Sequence, residues 1–128
     1  MSENPRHKDN LIVQLTFEFA LNIISFSETL NSCKKFNLSN QLFRSGTSIG
    51  ANVKEAQNAE SKADFIHKMK IAIKEAEETE YWLLLCKNSK EYPDCDSLLE
   101  KLTSITKVLN KIISTTKQPS KSTNHLIN

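Results

Sequence analysis

The stretch "KEAEETE" gathers four carboxylates, Glu75, Glu77, Glu78 and Glu80, within one short run. Clustered carboxylates can hold a metal. A di-iron bundle, however, needs Glu-x-x-His pairs on two helices. His7, His67 and His125 stand in no such spacing, and no HExxH occurs. The run therefore reads as a solvated acidic face for Glu75, Glu77 and Glu78, with Glu78 paired to Lys74 one turn back. Glu80 shares a helix edge with Ile73, Ala76 and Leu84, which predicts partial burial. A buried carboxylate needs a partner or hydrogen bonds, and Arg44 is one candidate, within the chain or across subunits.

Both glycines of the chain, Gly46 and Gly50, fall in "RSGTSIGANVKEA", residues 44–56. A phosphate-cradling loop needs Lys and Ser or Thr straight after its last glycine. Here Ala51-Asn52 follows instead. Gly46 lies on one helical stripe with Leu42, Ile49 and Val53, with Gly50 at its edge and short Ser45, Ser48 and Ala51 nearby. The segment reads as a helix thinned at Gly46, Gly50 and Ala51 for close packing. A glycine costs a helix interior about 1 kcal/mol against alanine, which added packing contacts can offset. Arg44, Ser48, Ala51 and Glu55 make a second, polar stripe with Asn52 beside it. This stripe is expected to lie in an interface.

Nucleophilic catalysis lacks its parts. Cys33, Cys86 and Cys95 are odd in number, form no CxxC pair and sit in no motif with histidine and an orienting acid. They read as reduced thiols, Cys86 packed beside Trp82 and Leu83. The chain is expected to be no enzyme, with no catalytic residue, metal or cofactor.

Basic side chains are the remaining candidates. Of the formal net charge of +2, the distribution is uneven. Residues 75–100 carry eight acids against Lys87 and Lys90, and from Lys101 onward there are five lysines and no acid. Lys107 and Lys111 lie one turn apart, opposite an apolar seam, and Lys117 and Lys121 follow in the tail. His67, Lys70 and Lys74 make a similar stripe upstream. Lys70, Lys74, Lys107, Lys111 and Lys117 are the candidate nucleic-acid contacts. No aromatic platform interleaves them, so sequence-independent phosphate contact is expected rather than base stacking.

These residues must be positioned by helices. The chain has 128 residues, 38% apolar and 25% charged, with two glycines and three prolines. That is one domain with too few turn residues for a sheet protein. The first helix is expected from a cap at Asp9 or Asn10 to about Cys33. Val13, Phe17, Ala20 and Ile24 form one stripe, and Ile12, Phe19, Ile23, Phe26 and Leu30 another beside it. Together they exceed the apolar arc of an ordinary surface helix, so the surplus must be covered by another subunit. The second helix is expected from a Ser39 cap to about Ala59, with Leu42, Gly46, Ile49, Val53 and Ala56 as its seam. The third opens with an S-x-x-D capping box at Ser61 and runs to about Asn88 on Phe65, Met69, Ala72, Ala76, Thr79 and Leu83. Pro93 lies in the long turn. Asp94, Asp96 or Ser97 can cap the fourth, whose seam is Leu98, Leu102, Ile105, Leu109 and Ile112. Residues 1–8 and 117–128 are expected to be disordered around a domain of 9–116. The polar start "MSENPRHKDN" shows no signal-peptide pattern, and the longest apolar run, "YWLLLC", is far below the ~20 residues of a membrane span. A cytoplasmic protein is expected. The fold class is all-α, an antiparallel up-down-up-down four-helix bundle.

The stretch "SIGANVKEAQNAESKADFIHKMKIAIKEAEETEYWLLL" resembles the 23S rRNA intervening-sequence protein family, a bacterial four-helix-bundle family. The matching pieces are Ser48-Ile49, Ala51-Asn52, Glu55-Ala56, Ser61, Phe65, Ile71-Ala72, Glu75, Glu78, Glu80 and Trp82-Leu83. Upstream, "QLFRSGTSIGANVKEA" is similar to that family's Q-L-x-R segment; many relatives have proline where Gly50 stands. The resemblance implies a ring-shaped homopentamer and a distant relation to accessory proteins of diversity-generating retroelements, which bind nucleic acid and a reverse transcriptase. The expected role is a non-enzymatic oligomer, self-associating through the first two helices and contacting RNA or DNA. The alternative is a scaffold that binds only protein.

Overall fold

The computed structural model describes residues 10–118. It contains four helices: α1, Leu11–Ser32; α2, Phe36–Ala56; α3, Lys62–Lys87; and α4, Asp96–Lys117. No strand occurs among the described residues, so the fold is all-α. The packed pairs are α1 with α2, α2 with α3, α3 with α4, and α4 with α1, while the backbones of α1 and α3 make no close approach. The helices thus stand at four corners, with α1 diagonal to α3. Residues 1–8 and most of the expected tail lie outside the described residues. Lys117 belongs to α4 rather than to a tail.

Helix boundaries follow local chemistry, with two departures from the expected helix starts. Ser39 is no cap: α2 starts at Phe36, and Ser39 is buried inside it, its Oγ donating to the Ser27 carbonyl at 3.1 Å. The earlier start follows from how α1 stops. Lys34 takes a left-handed φ of 64°. Its N–H donates to Asn31 O at 2.9 Å and that of Lys35 to Leu30 O at 2.8 Å. This is the two-bond C-terminal closure that glycine usually provides. At α4 the cap position is Cys95, with no side-chain cap bond, and Asp96 is already helical. Cys95 is buried and its Sγ donates to Leu83 O at 3.3 Å, so docking of the turn sets the start. The Ser61 cap of α3 forms as expected, its Oγ accepting from Asp64 N at 3.0 Å. Asp64 reaches back to accept from Glu60 N at 3.2 Å.

The core lies along the expected seams. Leu42, Gly46, Ile49, Val53 and Ala56 of α2 are all buried, as are Met69, Ala72, Ala76, Thr79 and Leu83 of α3. In α4 the seam ends on Ile113, with Ile112 half-buried; the last step from Leu109 is four residues, not three. On α1, Ile12, Phe19, Ile23 and Leu30 face inward. Of the other stripe, Val13 and Ala20 are half-buried, and Phe17 is 62% exposed. Helix α1 has the length and apolar content to cross a membrane by composition alone. Uninterrupted runs understate this, because Thr16, Glu18 and Asn22 break them. Its inward stripe packs in the core of the bundle.

The two glycines thin α2 against α1. A Cβ built on Gly46 would lie 2.8 Å from Ile23 Cγ1, and one on Gly50 would lie 3.2 Å from the Thr16 carbonyl oxygen. Most buried hydroxyls of the core are bonded, whereas Ser27 Oγ, in the α1–α2 seam, is buried without a partner among the described residues. Thr16 donates to Ile12 O at 2.8 Å, and Thr79 Oγ1 lies 2.7 Å from Glu75 O and 2.9 Å from Ser45 Oγ.

Candidate functional site

Helix α2 is continuous through residues 44–56, so its backbone N–H groups bond along the helix and do not cradle an anion. What the thinned helix makes instead is an open groove beside α1. It has a volume of about 820 Å³ and is lined by Val13, Phe17, Ala20, Gly50, Ala51 and Lys54, among others. Gly46 lies beneath Ile23 in the core, whereas Ala51 is exposed and faces the groove rather than a helix. Leu21 and Ile24 continue the apolar face of α1 past Phe17, at 51% and 36% exposure.

Two members of the polar stripe of α2, Arg44 and Glu55, reach α3 of the same chain, while Ser48 and Asn52 bond within α2. Arg44 binds Glu78, reaches Glu75 at 3.4 Å and donates to Gln41 at 3.4 Å. Trp82 Nε1 donates to the same Glu78 at 3.0 Å. Ser48 Oγ donates to Arg44 O at 2.6 Å, Asn52 Nδ2 to Ser48 O at 2.9 Å, and Glu55 lies 3.9 Å from Lys68. Within the chain the expected Arg44–Glu80 pair does not form, because Arg44 is held by Glu75 and Glu78. Glu80 is exposed, and Glu75, Glu78 and Trp82, spaced one turn apart, are the α3 positions that face α2. Glu75 and Glu78 are half-buried ion-pair partners, not a free acidic face; Glu77 remains exposed. Glu78 is taken by Arg44 and Trp82 rather than by Lys74.

All five candidate lysines are exposed, and none lies in ion-pair range of a carboxylate among the described residues. Lys70 on α3 and Lys117 on α4 converge. Contact with the Lys117 ammonium, and the repulsion that goes with it, lowers the Lys70 pKa below the ordinary lysine value. Sequence reasoning missed this neighbour relation by placing Lys117 in the tail. The signal was available: Ile113 and half-buried Thr116 carry the α4 seam one turn further. His67 is exposed, while His7, Lys121 and His125 lie outside the described residues. The sequence reading also passed over a second hollow, of about 500 Å³, at the other end of the α2–α3 seam. Leu38, Gln41, Trp82, Leu85 and Tyr92 line it, and Lys35 Nζ sits 4.6 Å from the Tyr92 ring centre.

The thiols divide by burial. Cys86 and Cys95 are buried and Cys33 is exposed. Burial first, then the neighbouring Cys95, pushes the Cys86 thiol from its ordinary 9.0 up to about 12; burial also raises Cys95. Thiolate is the reactive form, so iodoacetamide at pH 8 is expected to modify Cys33 of the folded chain and spare Cys86, read by peptide mass. Folding raises the Cys86 pKa, so its contribution to stability is complete below about pH 9 and declines as pH climbs toward 12. Labelling of Cys86 as fast as Cys33 would contradict this. Among the described residues, no three His, Cys, Asp or Glu side chains gather as a metal ion would need.

Residues 8–111 match the family described as 23S rRNA-intervening sequence protein. Among solved structures, the chain is similar to a protein with unknown function from the S23 ribosomal protein family of Bacteroides thetaiotaomicron VPI-5482. The two are 44% identical, with a TM-score of 0.77, over 80% of this chain and 98% of that one. No curated protein matches. A family match across all four helices, joined to a close structural likeness at this identity, means that the chain belongs to the 23S rRNA-intervening sequence protein family.

Proposed function

We propose that this protein is a non-enzymatic, self-associating helical module that holds the phosphate backbone of nucleic acid without reading its sequence. The observation that carries the nucleic-acid half is that Lys70 and Lys117, on the neighbouring helices α3 and α4, are both exposed with no carboxylate in ion-pair range among the described residues. Like charges brought together at a surface repel each other, and a polyanion relieves that repulsion. Lys74 on α3 and Lys107 and Lys111 on α4 extend the basic positions along the same two helices. The self-association half is supported by the exposed face of α1 beside the α1–α2 groove.

In its finer form the reading is an antiparallel, up-down-up-down bundle whose copies close into a ring, a homopentamer by family resemblance. Thr16 packed on Gly50, and Ser27 bonded to Ser39, support the antiparallel order of α1 and α2. Repetition of a weak lysine patch around an assembly raises its avidity. The module works in the cytoplasm, a reading supported by three cysteines in number and no disulfide among the described residues.

Fluorescence anisotropy with labelled single-stranded RNA and DNA tests the proposal. The logarithm of the affinity is expected to fall linearly with the logarithm of salt concentration. The double substitution Lys70→Glu and Lys117→Glu is expected to shallow that slope by about 1.4, at about 0.7 per lost single-strand contact. Absence of binding at 50 mM salt by an assembled protein would leave the protein-only scaffold as the function.

A further inference from the structure

Among the described residues, two of the exposed apolar faces lie on diagonal helices and point in different directions; Phe36 and Phe43 of α2 are exposed as well. One is the α1 face of Phe17, Leu21 and Ile24 beside the groove. The other is the outer surface of α3, where Tyr81, Leu84 and Leu85 are 57%, 43% and 41% exposed. Helices α1 and α3 stand at diagonal corners, with no close approach of their backbones. A contact made through one face therefore leaves the other bare.

We propose that the two faces cover each other between copies: the α1–α2 groove of one chain receives the outer surface of α3 from the next. This rests on the self-association proposed above and names its complementary surface. Charge favours the pairing. Lys54 lines the groove and is exposed, with no ion-pair partner among the described residues. Glu77 and Glu80 stand one turn before Tyr81 and Leu84, exposed and likewise without an ion-pair partner among the described residues. An acid-rimmed apolar ridge meets a groove with a lysine on its rim. A face-to-different-face contact leaves one free face of each kind at every step, so the assembly grows until it closes.

Mixing two assembly-deficient variants tests this. Phe17→Glu spoils the groove side and Leu84→Glu the α3 side; both positions are exposed, so wild-type helicity by circular dichroism is expected for each. By light scattering, each variant alone is expected at the mass of one chain. Their equimolar mixture is expected at the mass of two, because one intact groove meets one intact α3 surface. Complementation of this kind requires both variants to be folded. As a second measurement, Lys54→Glu is expected to weaken assembly several-fold, and mixing it with Glu77→Lys/Glu80→Lys to restore a contact. A Leu84→Glu protein that keeps the wild-type mass while Phe17→Glu falls to one chain would overturn the α3 pairing and leave self-association standing. A mixture that stays at one chain would overturn the pairing as well. A wild-type chain that is monomeric at tens of micromolar would remove self-association itself.

Discussion

Gly46→Leu is expected to lower the thermal midpoint by about 15 °C, the largest loss from any small-to-large change in the α1–α2 seam. The added Cβ alone would stand 2.8 Å from Ile23 Cγ1 and 3.0 Å from both Cδ1 and Cγ2. Ile23 is fully buried, and a β-branched side chain in a helix has one strongly preferred χ1 rotamer, so it cannot swing aside cheaply. The remaining leucine carbons must then push α1 from α2. Overpacking a close-packed core costs about 1–3 kcal/mol and occasionally more. Removal of a helical glycine returns somewhat less than 1 kcal/mol. Because even the Cβ clashes, the cost here is expected above the usual overpacking range, at about 4 kcal/mol; the net loss of about 3 kcal/mol, at about 4–8 °C per kcal/mol for a domain near this size, gives the expected shift. Gly50→Ala supplies the contrast. Its Cβ would meet Thr16 at 3.2–3.3 Å, which a shift of a few tenths of an ångström relieves. The gain in helix propensity is of similar size, so its midpoint is expected within a few degrees of wild type. Thermal melts by circular dichroism check both. An unchanged midpoint for Gly46→Leu would mean that the seam is not closely packed there.

The residues that were legible in the sequence are those whose position is fixed by periodicity alone. Leu42, Gly46, Ile49 and Val53, or Met69, Ala72, Ala76 and Leu83, sit inside because every step of three or four returns to one face. What periodicity leaves open is which edge of a face meets which neighbour. Glu78 and Glu80 flank the same buried position, Thr79, from opposite sides. Only the placement of α2 along the edge of Glu75, Glu78 and Trp82 decides that Arg44 finds Glu78. The caps were ambiguous for a related reason. Serines and aspartates near a helix start all satisfy the local rule. Ser39 was drawn into the helix by the closure at Lys34 and its bond to Ser27, neither of which is local to its own turn. Lys117 shows the limit at a chain end, where a polar composition masked one further helical turn. The exposed apolar face of α1 was legible as a surplus of apolar positions, while that of α3 lay inside the run "YWLLLC", which was weighed for its length against a membrane span.

Phe17 and Phe19 turn that surplus into a measurable difference, because two residues of one type, two positions apart, are expected to fail in opposite ways. Phe19 is 1% exposed in the core and Phe17 is 62% exposed beside the groove. Phe19→Ala removes a buried ring and leaves a cavity that the surrounding helices fill only in part. A loss of about 3–5 kcal/mol is expected, enough to unfold much of a marginally stable domain. Phe17→Ala removes a ring that the single chain hardly encloses, so it is expected to cost the isolated chain under about 0.5 kcal/mol. Its cost falls on association, since anchors at the centre of an interface are worth about 2 kcal/mol or more on truncation. A 2 kcal/mol loss is about a thirtyfold weaker contact. Denaturant unfolding at a concentration where the chain is dissociated reads the first term, and light scattering across a dilution series reads the second. The signature is a Phe17→Ala protein that unfolds like wild type when dilute yet dissociates at much higher concentration. Equal losses of stability at the two positions would place Phe17 in the chain's own core and remove the reason for self-association. Unchanged dissociation in Phe17→Ala would move the interface off the α1 face altogether.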